Sequence, residues 1–192
     1  MPPSDLEAPG GVGVAVPAAG MGRRMGGVRK AFLELDGEPL LARSLRPFLE
    51  HPRVVSVAVA LPTEEAASPP DWLQGLDPRI RLVKGGATRL HSVRAALSAL
   101  DPLVGVVLVH DAARPFVTRA VIDRCLKVAD GGEGAVAAWP STDTLKEVDG
   151  AGRVLSTPDR EAIWRAQTPQ AFPRSELLEA YRTAVERGLP AT

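Results

Sequence analysis

Apolar, β-branched runs that alternate with helical patterns constrain this chain more than anything else in it. The runs are VGVAV (12–16), VVSVAVAL (54–61), RIRLVKGG (79–86), VGVVLVHDAARPF (104–116) and GAVAAWP (134–140). Helical periodicity separates most of them. Leu41, Leu45, Phe48 and Leu49 share one face of 39–51, and Leu90, Val93, Leu97 and Leu100 share one face of 88–100, with Thr88 as a cap. TRAVIDRCLKVAD (118–130) is a third helix. Pro47 breaks the rule for a helix interior and predicts a kink or interruption in 39–51. Continuous apolar strands between helices imply an α/β fold with a mostly parallel sheet and helices on both faces. Ligands of such sheets bind at the carboxyl ends of the strands.

The alternation stops after residue 140. Residues 64–78 read as a Pro-rich surface connection with one helical turn, and 142–160 as two polar strands around Asp149–Gly152. That hairpin is too polar for the core and too small to stand alone in water, so it needs a surface to lean on. Residues 174–188 read as a closing amphipathic helix with Leu177, Leu178, Tyr181 and Val185 on one side. Residues 1–11 read as a disordered leader and 12–192 as one domain.

Composition excludes several classes. The net charge is zero, which argues against nucleic acid or an anionic membrane as partner. No apolar run is long enough to span a bilayer, and the N-terminus lacks the marks of a secretory signal, so the cytoplasm is expected. Cys125 is the only cysteine and reads as a plain helix residue. Asparagine is absent and arginine outnumbers lysine 19 to 4, a bias that a thermophile and a GC-rich genome explain equally well.

Three strand ends carry chemistry. PAAGMGRRMGGVRK (17–30) follows the first strand; its glycines permit close backbone approach, and its arginines with Lys30 call for an anion such as a polyphosphate. A plain structural turn is the other reading of the glycines. Gly85 and Gly86 close the third strand. They either form a simple turn or let backbone groups reach a base edge, assisted by Ser92. Asp111 ends the fourth strand, where it suits a magnesium–phosphate complex or braces a turn with Arg114. His110 points the other way on the strand and reads as structural, and His51 and His91 show no partner signal.

PAAGMGRRM, Lys30, GGATRLHSV, VHDAARPF, DTLKEVD and TPDREAIWRAQTPQAF occur in this order. Together they resemble the 2-C-methyl-D-erythritol 4-phosphate cytidylyltransferase family over residues 12–192. The resemblance implies a Rossmann-like nucleotidyltransferase fold and a homodimer in which a protruding β-arm (142–160) grips the partner. It implies transfer from CTP to methylerythritol phosphate with Mg²⁺, within the non-mevalonate isoprenoid pathway. Arg24 and Lys30 match the family's transition-state cations, and Arg160 is the third member of the catalytic set. Ala18, Ala19, Gly20, Gly85, Gly86 and Ser92 match nucleotide-holding positions. Asp111 matches the metal- and substrate-side carboxylate, with Ala112 and Arg114 beside it. Thr144, Arg160 and Thr168 match acceptor-binding positions, the first two lent by the partner's arm. A ribitol-5-phosphate cytidylyltransferase shares most of these motifs, and a non-catalytic nucleotide-binding dimer is the reading of another class.

The chain departs from the family pattern in three places. Arg29 stands where proline is common, Ala87 stands where a polar residue is common, and the family's Asn-x-Lys segment near the end is missing, so the C-terminal end is expected to be truncated.

Overall fold

A computed structural model describes residues 10–20 and 29–189. In chain order the elements are β1 (Val12–Pro17), a 3-10 turn (Lys30–Phe32), β2 (Glu34–Leu35), β3 (Glu38–Pro39), α1 (Leu40–Leu49), β4 (Val54–Leu61), α2 (Thr63–Ala67), α3 (Asp71–Gln74) and β5 (Ile80–Lys84). They continue with α4 (Arg89–Ala99), β6 (Val106–Val109), α5 (Arg119–Asp130), β7 (Ala135–Pro140), β8 (Glu147–Val148), β9 (Val154–Ser156), β10 (Trp164–Pro173) and α6 (Arg174–Glu186).

Six strands form one sheet in the order β5-β4-β1-β6-β10-β7. β1 pairs parallel with β4 and β6, and β4 parallel with β5. The alternation of strand side chains sorts the core into two layers. Val12, Val14 and Val16 of β1 pack with Leu41, Leu45 and Phe48 of α1 and Ile122 and Leu126 of α5. Ala15 of β1 and Val107 and Val109 of β6 pack on the other face with Val93 and Leu97 of α4 and Leu177 of α6. Helices therefore cover both faces, and β1 and β6 are buried throughout apart from Pro17, as their continuous apolar sequences predict.

Several elements differ from the sequence reading. α1 runs through Pro47 without interruption. Only the Arg43 carbonyl would have used the missing N–H, and the helix ends two residues later, where Glu50 N–H bonds Arg46 O at 3.0 Å. The apolar run 104–116 is a strand only over Val106–Val109, because the chain turns at once after His110. The connection 64–78 holds two short helices, α2 and α3, rather than one turn.

β10 has no counterpart in the sequence reading. It lies antiparallel between β6 and β7, with a register break between Ala166 and Gln170. Its prolines, Pro169 and Pro173, argue locally against a central strand. The expected polar hairpin is present in shorter form as β8–β9. Its turn is fixed by the Asp149 carboxylate, which accepts from the N–H groups of Ala151 and Arg153 at 2.9 Å each, and by Gly152 at φ +81°. No described helix is long and apolar enough to cross a membrane.

Candidate active site

A cleft of about 850 Å³ opens at the carboxyl ends of β1, β4 and β5 and reaches Asp111 just past β6. These strands flank the point where the order of connections reverses about β1. Ala19, Gly20, Gly85, Gly86, Ser92 and Asp111 all line it. Three segments far apart in sequence thus converge on one wall.

Gly85 sits where a side chain has no room. A Cβ there would collide with the Ala19 methyl and lie 3.0 Å from Ser92 Oγ and 3.2 Å from Leu61 O. Ser92 is buried and reaches the cleft through Gly86: its hydroxyl accepts from Gly86 N–H at 3.2 Å and donates to Thr88 O at 3.0 Å. Thr88 caps α4 as its position in the sequence suggests, accepting from His91 N–H at 3.3 Å. The N-terminal end of α4, with no acidic residue in its first turn, borders the cleft and favours an anion there.

Asp111 is the acidic side chain among the cleft's lining residues, and two guanidinium groups hold it. Arg89 donates to Oδ1 from Nη2 at 3.1 Å and from Nε at 3.3 Å, and Arg114 Nε donates to Oδ2 at 3.0 Å. Arg114 also donates to Gln167 of β10. Sequence reasoning missed Arg89. Its signal was available: the residue just inside a capped helix start, on a helix that follows the Gly85–Gly86 bend, faces the same edge as the strand ends.

His110 is fully buried against the Phe48 ring, at a centroid distance of 4.7 Å. Burial pushes its pKa down to about 4, so the ring is neutral near neutral pH. His51, for which the sequence suggested no partner, is also buried and donates from Nε2 to Asp123 Oδ1 at 2.9 Å.

The remaining expected residues fall elsewhere. Arg24 lies outside the described residues. Lys30 is exposed at the head of the 3-10 turn, and Arg29 before it is tied to α2 through Glu64 Oε2 at 2.8 Å and through Glu65. Ala18 and Ala112 are buried just behind the cleft, where Ala112 O accepts from the Ser44 hydroxyl at 2.9 Å. Arg114 and Thr168 line a second, more apolar groove on the other side of Asp111, together with Phe116, Trp139 and Trp164. Thr144 and Arg160 are exposed at the two ends of the β8–β9 arm and line neither concavity.

The family model for IspD, 2-C-methyl-D-erythritol 4-phosphate cytidylyltransferase, matches residues 12–192. The chain belongs to this family. A 2-C-methyl-D-erythritol 4-phosphate cytidylyltransferase of Symbiobacterium thermophilum is 44% identical over 183 residues, which cover 94% of this chain and 76% of that protein. Among solved structures, the 4-diphosphocytidyl-2C-methyl-D-erythritol synthase of Anaerococcus prevotii superposes with a TM-score of 0.84 at 27% identity, over 95% of this chain and 78% of that one. The 2-C-methyl-D-erythritol 4-phosphate cytidylyltransferase of Thermus thermophilus gives 0.74 at 36% identity, over 96% and 80%. The mostly parallel sheet and its flanking helices are thus the nucleotidyltransferase architecture of this family.

Proposed function

We propose that this protein transfers the cytidylyl group of CTP to 2-C-methyl-D-erythritol 4-phosphate, giving 4-diphosphocytidyl-2-C-methyl-D-erythritol and pyrophosphate in the non-mevalonate isoprenoid pathway. The observation that carries the reading is the cleft, where backbone groups at Gly85–Gly86, the start of α4 and the Arg89–Asp111 pair meet on one strand edge. An acceptor phosphate oxygen attacks the α-phosphorus of CTP, and the bond from that phosphorus to the β-bridging oxygen breaks as pyrophosphate leaves. Such a reaction needs positioning and charge neutralisation more than covalent help. Ala19, Gly20, Gly85 and Gly86 hold the nucleotide by backbone. Arg24 and Lys30 neutralise the charge that develops on the phosphates.

The donor set fits a magnesium ion carried by the nucleotide. Among the described residues there is no group of three or more metal-ligating side chains, so an all-protein cage is not available. One carboxylate, Asp111, together with phosphate oxygens matches the habit of Mg²⁺. When bound, the ion shields the triphosphate. Asp111 would hold the ion through a carboxylate oxygen, beside the guanidinium groups of Arg89 and Arg114.

The acceptor side is completed by a second copy of the chain. Trp139 and Trp164 beside the second groove are 66% and 59% exposed, and β7 is a sheet edge. The β8–β9 arm, with Val154 and Leu155 exposed along β9, needs a surface to hold it. In the dimer the partner's arm brings a second Thr144 and Arg160 toward the Thr168 and Arg114 of this chain. The reaction draws on CTP and is assigned to the cytoplasm.

The test is Mg²⁺-dependent pyrophosphate release from CTP by the full-length protein, with methylerythritol 4-phosphate and ribitol 5-phosphate assayed in parallel. Release with the first alone is expected. Release with ribitol 5-phosphate alone moves the assignment to that substrate, and silence with both, from a folded dimer that binds CTP, refutes the acceptor assignment.

A further inference from the structure

Four groups form one hydrogen-bonded chain between β6 and β10. Asp111 N–H donates to Thr168 Oγ1 at 3.2 Å, Thr168 Oγ1 lies 3.0 Å from His110 Nδ1, and His110 Nε2 lies 3.1 Å from Arg114 O. The two ends have fixed polarity: a backbone N–H only donates and a carbonyl only accepts. His110 is fully buried, where a charged ring would be costly. Nε2 must therefore carry the ring proton that Arg114 O accepts. Nδ1 is then bare and accepts the Thr168 hydroxyl proton. Every link runs in one direction, from Asp111 to Arg114.

We propose that His110, held as the Nε2–H tautomer, is a positioning residue of the acceptor site. It fixes the polarity of the Thr168 hydroxyl and ties Thr168 and Arg114 to the loop that presents Asp111. With its proton committed to His110 and one lone pair taken by Asp111 N–H, Thr168 has only a lone pair left for a ligand. It accepts from a donor and repels an anionic oxygen. The backbone of Arg114 is held by the same ring while its guanidinium binds Asp111 Oδ2 at 3.0 Å. One buried side chain thus sets both the direction of a hydroxyl and the place of a cation on the side of Asp111 away from the nucleotide cleft. The acceptor assignment rests on the cytidylyltransferase reading; the tautomer does not.

Two measurements on the full-length protein test this separately. Nitrogen-15 NMR of the ligand-free protein is expected to show His110 with a protonated Nε2 and a bare Nδ1; a protonated Nδ1 overturns the proposal whatever the enzyme's substrate. Steady-state kinetics on His110→Phe, with CTP and methylerythritol 4-phosphate varied in turn, is expected to show at least a tenfold loss in acceptor kcat/KM, the scale of leaving buried partners unmade. CTP affinity should stay within about threefold, because no link of the chain touches a nucleotide-holding residue other than Asp111. His110→Asn, which can still accept from Thr168, should recover part of the loss. Wild-type acceptor kinetics in His110→Phe, or equal losses for CTP and acceptor, would overturn the role. Should the phenylalanine variant fail to fold, the tautomer and the asparagine variant decide alone. A wild-type protein that binds CTP yet transfers nothing refutes the substrate assignment and leaves the tautomer result standing.

Discussion

Around the cleft, β1 and β6 are buried on both faces apart from Pro17, and Gly86 N–H, Ser92, Arg89 and Asp111 in its wall are hydrogen-bonded within the same chain. At the far edge of the sheet, β7 and the start of β10 leave Trp139 and Trp164 exposed, and the arm beyond them touches water on nearly every residue. The first region is finished within one subunit. The second is a surface waiting to be covered. On the proposed reading the difference assigns separate conditions to the two substrates: nucleotide binding needs only a folded chain, whereas acceptor binding needs two.

The largest effect that could break this contrast lies at the exposed edge. Trp139→Glu combined with Trp164→Glu should raise the dimer dissociation constant by roughly 10³-fold, the scale of two aromatic interface anchors. Sedimentation and CTP titration of the same sample decide the matter: a monomer that binds CTP normally but turns over poorly upholds the contrast, and a fully active monomer removes it. Lys30→Ala should lower turnover by about 10²–10³-fold with folding intact, as for one preorganised transition-state donor. A smaller effect, about 10–100-fold and confined to the acceptor KM, is expected for Arg160→Ala, the loss of one charge-assisted contact. If CTP affinity falls instead, Arg160 serves the nucleotide side.

The smallest effect concerns pH and stability. The folded-state pKa of His110 is lowered from 6.5 to about 4, so the unfolded chain binds a proton that the native chain refuses. Stability present above pH 6.5 is therefore lost as pH falls toward 4, by up to about 1.4 kcal/mol per pH unit. Denaturant titrations of wild type and His110→Gln across that window should differ in slope, and identical slopes would mean that the ring is not buried neutral.

The self-contained region was also the legible one. Unbroken Val and Ala runs gave away β1, β4 and β6 because strands buried on both faces carry no polar alternation. The clustering of Gly20, Gly85, Ser92 and Asp111 then followed from the rule for parallel sheets. β10 was hidden because Pro169 and Pro173 forbid what a central strand normally requires, and the register break that accommodates the first of them is a tertiary arrangement with no local mark. Arg89 was hidden because an arginine at a helix start normally reads as a solvated charge; only the position of Asp111 across the cleft gives it a task. Trp139 looked like an ordinary strand residue and Trp164 fell in no expected element, since a sequence does not say which edge of a sheet stays open.

The contact between Gly85 and Ala19 has an evolutionary consequence. The two positions belong to different segments of the chain yet share the space of one methyl group. They should therefore behave epistatically: alanine at 85 is damaging beside Ala19 and partly relieved beside glycine at 19, the remainder being the closeness of Leu61 O and Ser92 Oγ. Across related sequences, a side chain at both positions together should therefore be rarer than their separate frequencies predict, which an alignment checks.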